Sequence, residues 1–260
     1  MTAPSGPLVL AHLSDLHLGA HDPGAVASIV ADVAAVRPAL TVVTGDCTMR
    51  ARASQFRQAR DLLDQLPRPL LVVPGNHDVP LVSVARLAGP YRRYRRWISA
   101  DLDPVVRLPG LTALGLQSTP PWRWKSGRIS RRQSDAVRSV LGAAPAGDLR
   151  LLALHHPPRA PGLARLVGRR RLLRAVAAAR VDLLLVGHTH VPESRRVEVE
   201  ASELEAIEVV AGTATSLRTR GVGRSWTVIR VSVDSVAVEE RRQTAAGWRA
   251  DRTTRYPRCT

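Results

Sequence analysis

The chain has 260 residues, 45% of them hydrophobic and 23% charged, so it can bury a large core within one folded domain. It contains no run of about 18 apolar residues, and residues 1–15 lack the basic start and apolar stretch of a signal peptide. We therefore expect a cytoplasmic protein without a membrane span. Cys47 and Cys259 are the only cysteines, which excludes a disulfide framework or a paired-cysteine metal site.

The net charge of +16 is the most unusual global property, and it has two interpretations. A basic surface attracts polyanions such as nucleic acid, anionic lipid or a phosphorylated substrate. Alternatively, Lys125 is the sole lysine, and such a preference for arginine indicates GC-rich codon usage. Nucleic acid and an anionic membrane surface thus stay open as partners, with nucleic acid not favoured.

The first third of the chain alternates between short apolar strands and amphipathic helices. Strands are predicted at 7–13, 39–45 and 69–73, with helices at 24–36 and 51–66 between them. Repeated strand–helix–strand units with apolar strands are typical of parallel pairing in a sheet covered by helices.

Residues 81–103 predict a helical excursion that contains the sequence YRRYRRW at 91–97. Alternating aromatic and arginine side chains can stack on a base or another ring. The same pattern also fits an amphipathic helix that packs its aromatic residues and exposes its arginines. Both interpretations are open from the sequence.

The remaining elements follow the same reading of apolar periodicity. We predict strands at 104–108 and 111–116, an irregular segment at 118–130, and a helix from a capping box at Ser130 and Gln133 to about Leu141. Further along we predict a strand at 149–158, a basic helix at 163–180, a strand at 181–190, and period-two antiparallel, half-buried strands from 194 to about Trp248. We expect one domain over 1–252 and a loose tail over 253–260.

Five polar clusters directly follow predicted strands. They lie at 15–17, 45–46, 75–78, 155–156 and 187–190. Because the carboxyl ends of strands in an α/β sheet border a common crevice, we expect these clusters to meet there. Glycines at 45, 75 and 187 let the backbone turn sharply before the polar side chains.

The residue types in these clusters predict a metal site. Asp, His and Asn without Cys form an oxygen and nitrogen donor set suited to Fe, Mn, Zn or Co. Asp15 with His17, and His188 with His190, are alternate residues that an extended chain would project to the same side. Each fragment alone is weak evidence, but the donors outnumber what one ion needs. We therefore expect two metal ions with a bridging carboxylate.

The ordered clusters resemble the calcineurin-like metallophosphoesterase family, whose pattern runs D-x-H, GD, GNH[DE], H and GHxH; this sequence supplies each element over 15–190. The resemblance implies an α/β fold, a four-layer αββα sandwich of two mixed β-sheets flanked by helices, with a dinuclear centre. The amino-acid sequence at 45–56 and 73–80 resembles the branch of the family that contains cyclic-nucleotide and glycerophosphodiester phosphodiesterases.

The resemblance also implies a role for each motif residue. One metal ion would be held by Asp15, His17 and His190, and the second by Asn76, His155 and His188, with Asp46 bridging them. The family's single histidine generally precedes x-Pro, which favours His155 over His156. His77 would contact the phosphoryl group as a hydrogen-bond or acid partner, and Asp78 would orient it. Cys47 is either an oxidisable neighbour of the site or a small buried hydrophobic residue.

The implied activity is that of a metal-dependent phosphoric ester hydrolase acting on a small phosphate ester, with phosphodiesterase favoured over phosphomonoesterase. Two carboxylates do not neutralise two divalent ions, so the centre would attract phosphate, and a hydroxide shared by the metals would attack phosphorus in line. The alternatives are a nuclease, a hydrolase of anionic lipids or nucleotide pyrophosphates with the same fold, and a non-catalytic binding module.

Overall fold

The computed structural model describes residues 6–81, 84–123, 125–198 and 205–258, and its centre is formed by two six-stranded β-sheets. The first sheet contains β1 (Leu8–Leu13), β2 (Leu40–Thr44), β3 (Leu70–Val73), β12 (Ser225–Val231), β13 (Ser235–Thr244) and β14 (Gly247–Pro257). Their order across the sheet is β14-β13-β12-β1-β2-β3. The predicted parallel pairing holds for β1, β2 and β3, whereas β12 is antiparallel to β1.

The second sheet contains β4 (Val105–Leu108), β5 (Leu111–Leu116), β7 (Leu149–Leu154), β9 (Leu183–His190), β10 (Glu193–Glu198) and β11 (Glu205–Gly212). Their order is β10-β11-β9-β7-β5-β4, and the four central strands run parallel. A separate parallel ribbon pairs β6 (Gly127–Arg128) with β8 (Leu166–Val167). Both large sheets are therefore mixed.

Helices cover the outer face of each sheet. They are α1 (Pro23–Ala35), α2 (Ala53–Gln65), α3 (Val84–Ala88), α4 (Arg92–Trp97), α5 (Arg131–Ala136), which continues as a π-helical turn Val137–Leu141, and α6 (Arg169–Ala178). One apolar cluster lies between the sheets, a second joins the first sheet to α1 and α2, and a third joins the second sheet to α5 and α6. The predicted four-layer sandwich is confirmed. None of the described helices is both long and apolar enough to cross a bilayer.

Local sequence explains how the elements begin and which face they bury. The Asp22 side chain accepts a hydrogen bond from the Ala25 amide at 2.8 Å, and Pro23 follows at the first helical position of α1. All five residues of β2 are buried, because both faces of this central parallel strand are covered.

The segment at 81–103 holds two short helices, α3 and α4, rather than one excursion, and residues 82–83 lie outside the described residues. Gly89 and Pro90 separate the helices, because proline lacks an amide donor and restricts the residue before it. Tyr94 is fully buried, and its hydroxyl donates to the Val72 carbonyl at 3.1 Å. This contact favours the amphipathic-packing interpretation of YRRYRRW.

The basic helix predicted at 163–180 begins only at Arg169. Gly168 has a left-handed φ of 88°, which an α-helix cannot continue through, and Leu166–Val167 pairs with β6 instead. The irregular segment at 118–130 likewise contributes the short strand β6.

The predicted antiparallel pairing is confirmed for β10 with β11, β12 with β13 and β13 with β14, but the C-terminal third differs from expectation in two respects. β11 also pairs in parallel with β9, and its successive residues are buried because they face apolar clusters on both sides of the sheet. Residues 253–257, expected to be a loose tail, pair with β13 as the end of β14. Tyr256 is buried there, and its hydroxyl hydrogen-bonds the Ser194 hydroxyl at 2.8 Å. Residues 259–260 lie outside the described residues.

Asp32 on α1 generates a prediction about stability. Its carboxylate accepts hydrogen bonds from the buried Trp226 indole at 2.9 Å and from the Arg241 guanidinium at 2.7 and 2.8 Å. We expect Asp32→Ala to lower the free energy of unfolding by about 2–3 kcal/mol, because in a mostly buried position the Trp226 indole loses its acceptor and Arg241 keeps only Glu239 as a carboxylate partner. Urea denaturation measures the change.

Asp64→Ala is the matched control, since Asp64 also pairs with two arginines but lies on the exposed side of α2. We expect it to leave the denaturation midpoint nearly unchanged, because exposed ion pairs are screened by solvent. Equal effects of the two substitutions would contradict the role of burial at Asp32.

Candidate metal centre

Strands of both sheets end at one crevice, and all seven predicted metal-binding side chains lie in it. Asp15 and His17 follow β1, Asp46 follows β2, and Asn76 follows β3. From the second sheet, His155 follows β7, and His188 and His190 end β9. The predicted convergence of strand ends therefore joins the edges of two sheets rather than the edge of one.

One group of donors is formed by Asp15, His17 and His190. The Asp15 Oδ1 atom lies 3.0 Å from His190 Nε2 and 3.6 Å from His17 Nε2. The two imidazole nitrogens are 3.2 Å apart. These distances allow the three side chains to meet at a single point.

A second group is formed by Asn76, His155 and His188. The Asn76 Oδ1 atom lies 3.1 Å from His155 Nε2 and 3.0 Å from His188 Nδ1. Asp46 Oδ2 stands between the groups, 3.4 Å from His155 Nε2 and 3.7 Å from His17 Nε2. The structure therefore places Asp46 where a bridging carboxylate is expected.

Backbone carbonyls fix the proton positions on three histidines. His155 Nδ1 contacts the Thr44 carbonyl at 2.7 Å, and His190 Nδ1 contacts the Arg218 carbonyl at 2.5 Å. His77 Nδ1 contacts a third carbonyl, that of Met49, at 2.8 Å. A carbonyl only accepts hydrogen bonds, so each Nδ1 carries a proton, and the neutral form of each ring would have its lone pair on Nε2.

The donor set fits metal ions because its lone pairs face one another. In the neutral form of His155, the Nε2 lone pair lies against the Asn76 carbonyl oxygen, and both atoms are then acceptors that a proton or a metal ion must bridge. Asp15 Oδ1 is buried and has no hydrogen-bond donor. Hydrogen-bond acceptors that face one another in a buried site need a shared cation. Carboxylate, amide and imidazole groups are suitable ligands for a metal ion.

The pKa shifts in the crevice also indicate a site for positive charge. Burial acts to raise the pKa of Asp15, but His190 and His17 outweigh it and hold that pKa well below its usual range. Burial lowers the pKa of His155, yet Asp46 more than compensates and raises it to about 9. The carboxylates are therefore held in the charged form and require positive charge beside them.

Five of the seven predicted ligand residues have a left-handed backbone conformation. The φ angles are 53° at Asp15, 51° at His17, 51° at Asp46, 72° at His188 and 62° at His190. Our explanation that alternate residues of an extended chain share a side was therefore wrong for both pairs. The chain turns at each donor, which is uncommon for a residue other than glycine.

Asp78 has a different contact from the one expected. Its carboxylate accepts hydrogen bonds from the Cys47, Thr48 and Gly75 amides at 2.8–3.1 Å, whereas the His77 ring is held by the Met49 carbonyl. Asp78 therefore fastens the loop after β2 to the loop after β3 and does not orient the imidazole. Burial and the Asp46 charge raise the pKa of Asp78 to about 6.

The choice between His155 and His156 agrees with the contacts. His155 Nε2 faces Asn76 and Asp46, whereas His156 Nδ1 is paired with the Ser118 hydroxyl at 2.9 Å. The His156 ring nonetheless lies 4.6 Å from the His188 ring, so it is part of the wall behind that ligand candidate.

Cys47 belongs to the apolar cluster between the first sheet and its helices. Its side chain is fully buried, and burial raises the pKa of the thiol well above its usual value. These observations support the interpretation as a small hydrophobic residue, because thiol reactivity requires the thiolate.

Arg218 is a residue of this site that sequence reasoning missed. Besides the carbonyl that holds His190, its exposed guanidinium places Nη1 at 3.3 Å from His77 Nε2. It lies between β11 and β12, in a segment without a recognisable motif. The role of Arg218 becomes visible only because the fold brings its side chain beside His77, which is 141 positions away in the sequence.

Gly187 generates a prediction about the integrity of the crevice. A Cβ atom at this position would lie 1.9 Å from Ser14 Oγ and 2.8 Å from Asp15 Oδ2. We expect Gly187→Ala to displace Asp15, to remove at least half of the bound metal, and to lower the melting temperature by about 5 °C. Elemental analysis and thermal unfolding measure both effects.

Gly89→Ala is the control, because its added Cβ would have an ordinary contact of 3.6 Å with Arg92 Cβ. Unchanged metal content in both variants would show that the close approach of β9 to Asp15 is unimportant.

Two bacterial proteins are similar to this chain in sequence. Over 202 residues the chain is 32% identical to a probable cyclic nucleotide phosphodiesterase of Rhodococcus erythropolis, covering 70% of this chain and 64% of that protein. It is 29% identical over 213 residues to a cAMP/cGMP dual specificity phosphodiesterase of Mycobacterium tuberculosis, with coverages of 72% and 63%. The chain thus spans less than two thirds of the length of either relative.

Solved structures share the fold at low sequence identity. A purple acid phosphatase from yellow lupin (Lupinus luteus) seeds superimposes with a TM-score of 0.74 at 12% identity, over 97% of this chain and 54% of that one. GAP50, the anchor in the inner membrane complex of Plasmodium, gives 0.65 at 13% identity, over 98% and 90%. A family model for calcineurin-like phosphoesterases matches residues 8–192, more than half of the sequence. With the fold and the motif residues in agreement, the chain belongs to the calcineurin-like phosphoesterase family.

Proposed function

We propose that this chain is a metal-dependent phosphodiesterase that hydrolyses small phosphodiesters. The observation behind the proposal is the position of Asp46 between two complete groups of oxygen and nitrogen donors. Two metal ions about 3.5–4 Å apart are the arrangement that other phosphoesterases use for in-line displacement.

In this proposal Asp15, His17 and His190 hold one ion, and Asn76, His155 and His188 hold the other. Asp46 contributes to both, since its Oδ2 atom lies within 3.7 Å of a histidine from each group. The absence of thiolate donors among the described residues of the crevice suits Fe, Mn, Zn or Co.

The bound ions supply Lewis-acid stabilisation of the phosphoryl oxygens and activate a water molecule as the nucleophile. The chain's own residues position the phosphate. His77 has its Nδ1 proton engaged with the Met49 carbonyl, so Nε2 is the atom that faces the substrate. In the imidazolium form, with a second proton on Nε2, it would donate to a phosphoryl oxygen or pass that proton to the leaving oxygen. The His77 amide donates to Asp46 Oδ1 at 2.7 Å, which ties the position of this imidazole to the bridging carboxylate.

We propose cyclic nucleotides as the substrate class. The support is that two bacterial relatives are cyclic nucleotide phosphodiesterases by name, together with a crevice whose donor set suits metal ions and contains no protein nucleophile. A non-catalytic binding role is disfavoured, because no member of the predicted donor set is missing from the crevice.

Substitutions at Asn76 and His77 should impair different properties, metal binding in the first case and turnover in the second. We expect Asn76→Ala to lose metal and activity together, because it removes a donor atom. We expect His77→Ala to retain about two metal ions while kcat falls about a hundredfold or more, since a proton-transfer or phosphate contact is lost. Hydrolysis of bis-p-nitrophenyl phosphate with Mn²⁺ and elemental analysis measure the two properties.

Thr189→Ala is the matched control, because Thr189 lies between two histidines of the site but its hydroxyl bonds only the Val191 backbone, with the carbonyl at 3.3 Å. Full activity after chelation and dialysis would contradict the metal mechanism. A panel of cyclic nucleotides, glycerophosphodiesters, nucleotide pyrophosphates and DNA then tests the substrate class.

Arg218 should contribute to binding of the phosphodiester anion, because its guanidinium adjoins His77 at the mouth of the crevice. We expect Arg218→Gln to lower kcat/KM about tenfold or more, with metal content unchanged, and Arg218→Lys to recover part of the loss. Steady-state kinetics measure the effect.

Arg220→Gln is the matched control, since Arg220 is equally exposed two residues further on. Equal losses in the Arg218 and Arg220 variants would indicate general surface charge rather than a specific contact.

A further inference from the structure

A groove on the second-sheet side of the molecule concentrates positive charge. It has a volume of about 850 Å³, and six arginines line it: Arg123, Arg165, Arg169, Arg170, Arg171 and Arg174. Among its described lining residues there is no aspartate or glutamate. We refer to this feature as the arginine groove.

Five of the six arginine side chains in this groove have no partner among the described residues. Within the described part of the chain, the side chains of Arg165, Arg169, Arg170, Arg171 and Arg174 have neither an ion pair nor a hydrogen bond. Arg123 donates from Nη1 to the Ser126 hydroxyl at 3.1 Å, and its buried Nε atom has no acceptor. Some arginines elsewhere are paired with carboxylates, as in Arg195 with Glu208 and Arg241 with Asp32, and others are exposed without such a partner. Codon usage explains why the chain contains arginine, but it does not explain why six arginines line one groove that has no carboxylate among its described lining residues.

The beginning of α6 adds to the same field. Its first three residues are Arg169, Arg170 and Arg171, and the preceding Gly168 has no side chain that could cap the helix. The N-terminus of a helix carries partial positive charge, so arginines there are electrostatically unfavourable where acidic residues are usual. An anion in the groove would convert this repulsion into attraction and would meet free backbone amides.

We propose that the arginine groove binds a small ligand that carries several phosphates, such as a di- or triphosphate group. Arginine forks match phosphate oxygens, and the groove has the volume of a small-molecule site. Single-stranded nucleic acid is not favoured, because stacking requires aromatic side chains and none is found among the described lining residues.

The groove is distinct from the metal centre but is joined to it through the β6–β8 ribbon. None of the seven proposed metal ligands lines it. The Gly127 amide donates to the Arg165 carbonyl at 3.1 Å, and Gly127 packs against His156, where an added Cβ would lie 2.6 Å from the ring. The His156 ring in turn lies 4.6 Å from that of His188. The site therefore neighbours the crevice and does not depend on the proposed hydrolysis.

The test measures binding of a methylene-bridged triphosphate to the metal-loaded chain by isothermal titration calorimetry. We expect one site per chain, with affinity that weakens as salt is raised. The variant Arg165→Gln/Arg170→Gln/Arg174→Gln should raise Kd at least tenfold. A control with the same loss of charge, Arg57→Gln/Arg249→Gln/Arg255→Gln, should stay within twofold, since these exposed arginines lie outside the groove.

Two further measurements separate the groove from other sources of binding. In the Asn76→Ala variant the triphosphate should still bind, whereas loss of binding there would assign it to the metal centre and overturn the proposal. Equal weakening in both triple variants would show diffuse surface charge instead. Tighter binding of a duplex DNA that requires the same three arginines would replace the small ligand with nucleic acid.

Discussion

The need to compensate two buried carboxylates determines the arrangement of this molecule. Asp15 and Asp46 lie at the bottom of the crevice, and among the described residues no arginine or lysine forms an ion pair with either. A buried charge without a partner is strongly unfavourable, so the compensating groups must come from the loops that surround it. Those loops begin at strands of both sheets, and the two sheets must therefore end at the same edge with their separation fixed by the apolar cluster between them.

Several residues of the crevice adopt a backbone conformation that residues other than glycine ordinarily avoid. A left-handed conformation costs a residue other than glycine about 1–2 kcal/mol, and five donor residues adopt it. Such conformations persist only where surrounding contacts over-determine them. Here those contacts are the Asp78 carboxylate, which binds three backbone amides of two loops, and the close packing of β9 on Ser14. The crevice is thus rigid because independent elements restrain the same few backbone atoms.

Apolar periodicity predicted the strand ends, and residue chemistry predicted that the polar clusters after them form one site, because both are local properties. The four layers and the assignment of each ligand candidate came instead from the family resemblance. The sequence did not predict the turn at each donor, since side-chain alternation says nothing about a left-handed φ at Asp15 or His188. The role of Asp78 was wrong because adjacency to His77 suggested a contact that the 3₁₀ turn at Asn76–Asp78 directs elsewhere. Arg218 had no sequence signal. The basic helix predicted at 163–180 indicated most of the arginines of the arginine groove, but the fold alone brings Arg123 beside them.

The carbonyls of Thr44, Met49 and Arg218 have a consequence for how this site tolerates substitution. They fix the protons of three imidazoles, yet every amino acid supplies the same carbonyl. A survey of variants would find position 49 permissive in this respect, although its backbone holds the His77 ring. Support of this kind is invisible to side-chain replacement, and only changes that move the main chain would reveal it. The crevice is thereby protected from many point mutations, while insertions or deletions in these loops would be poorly tolerated.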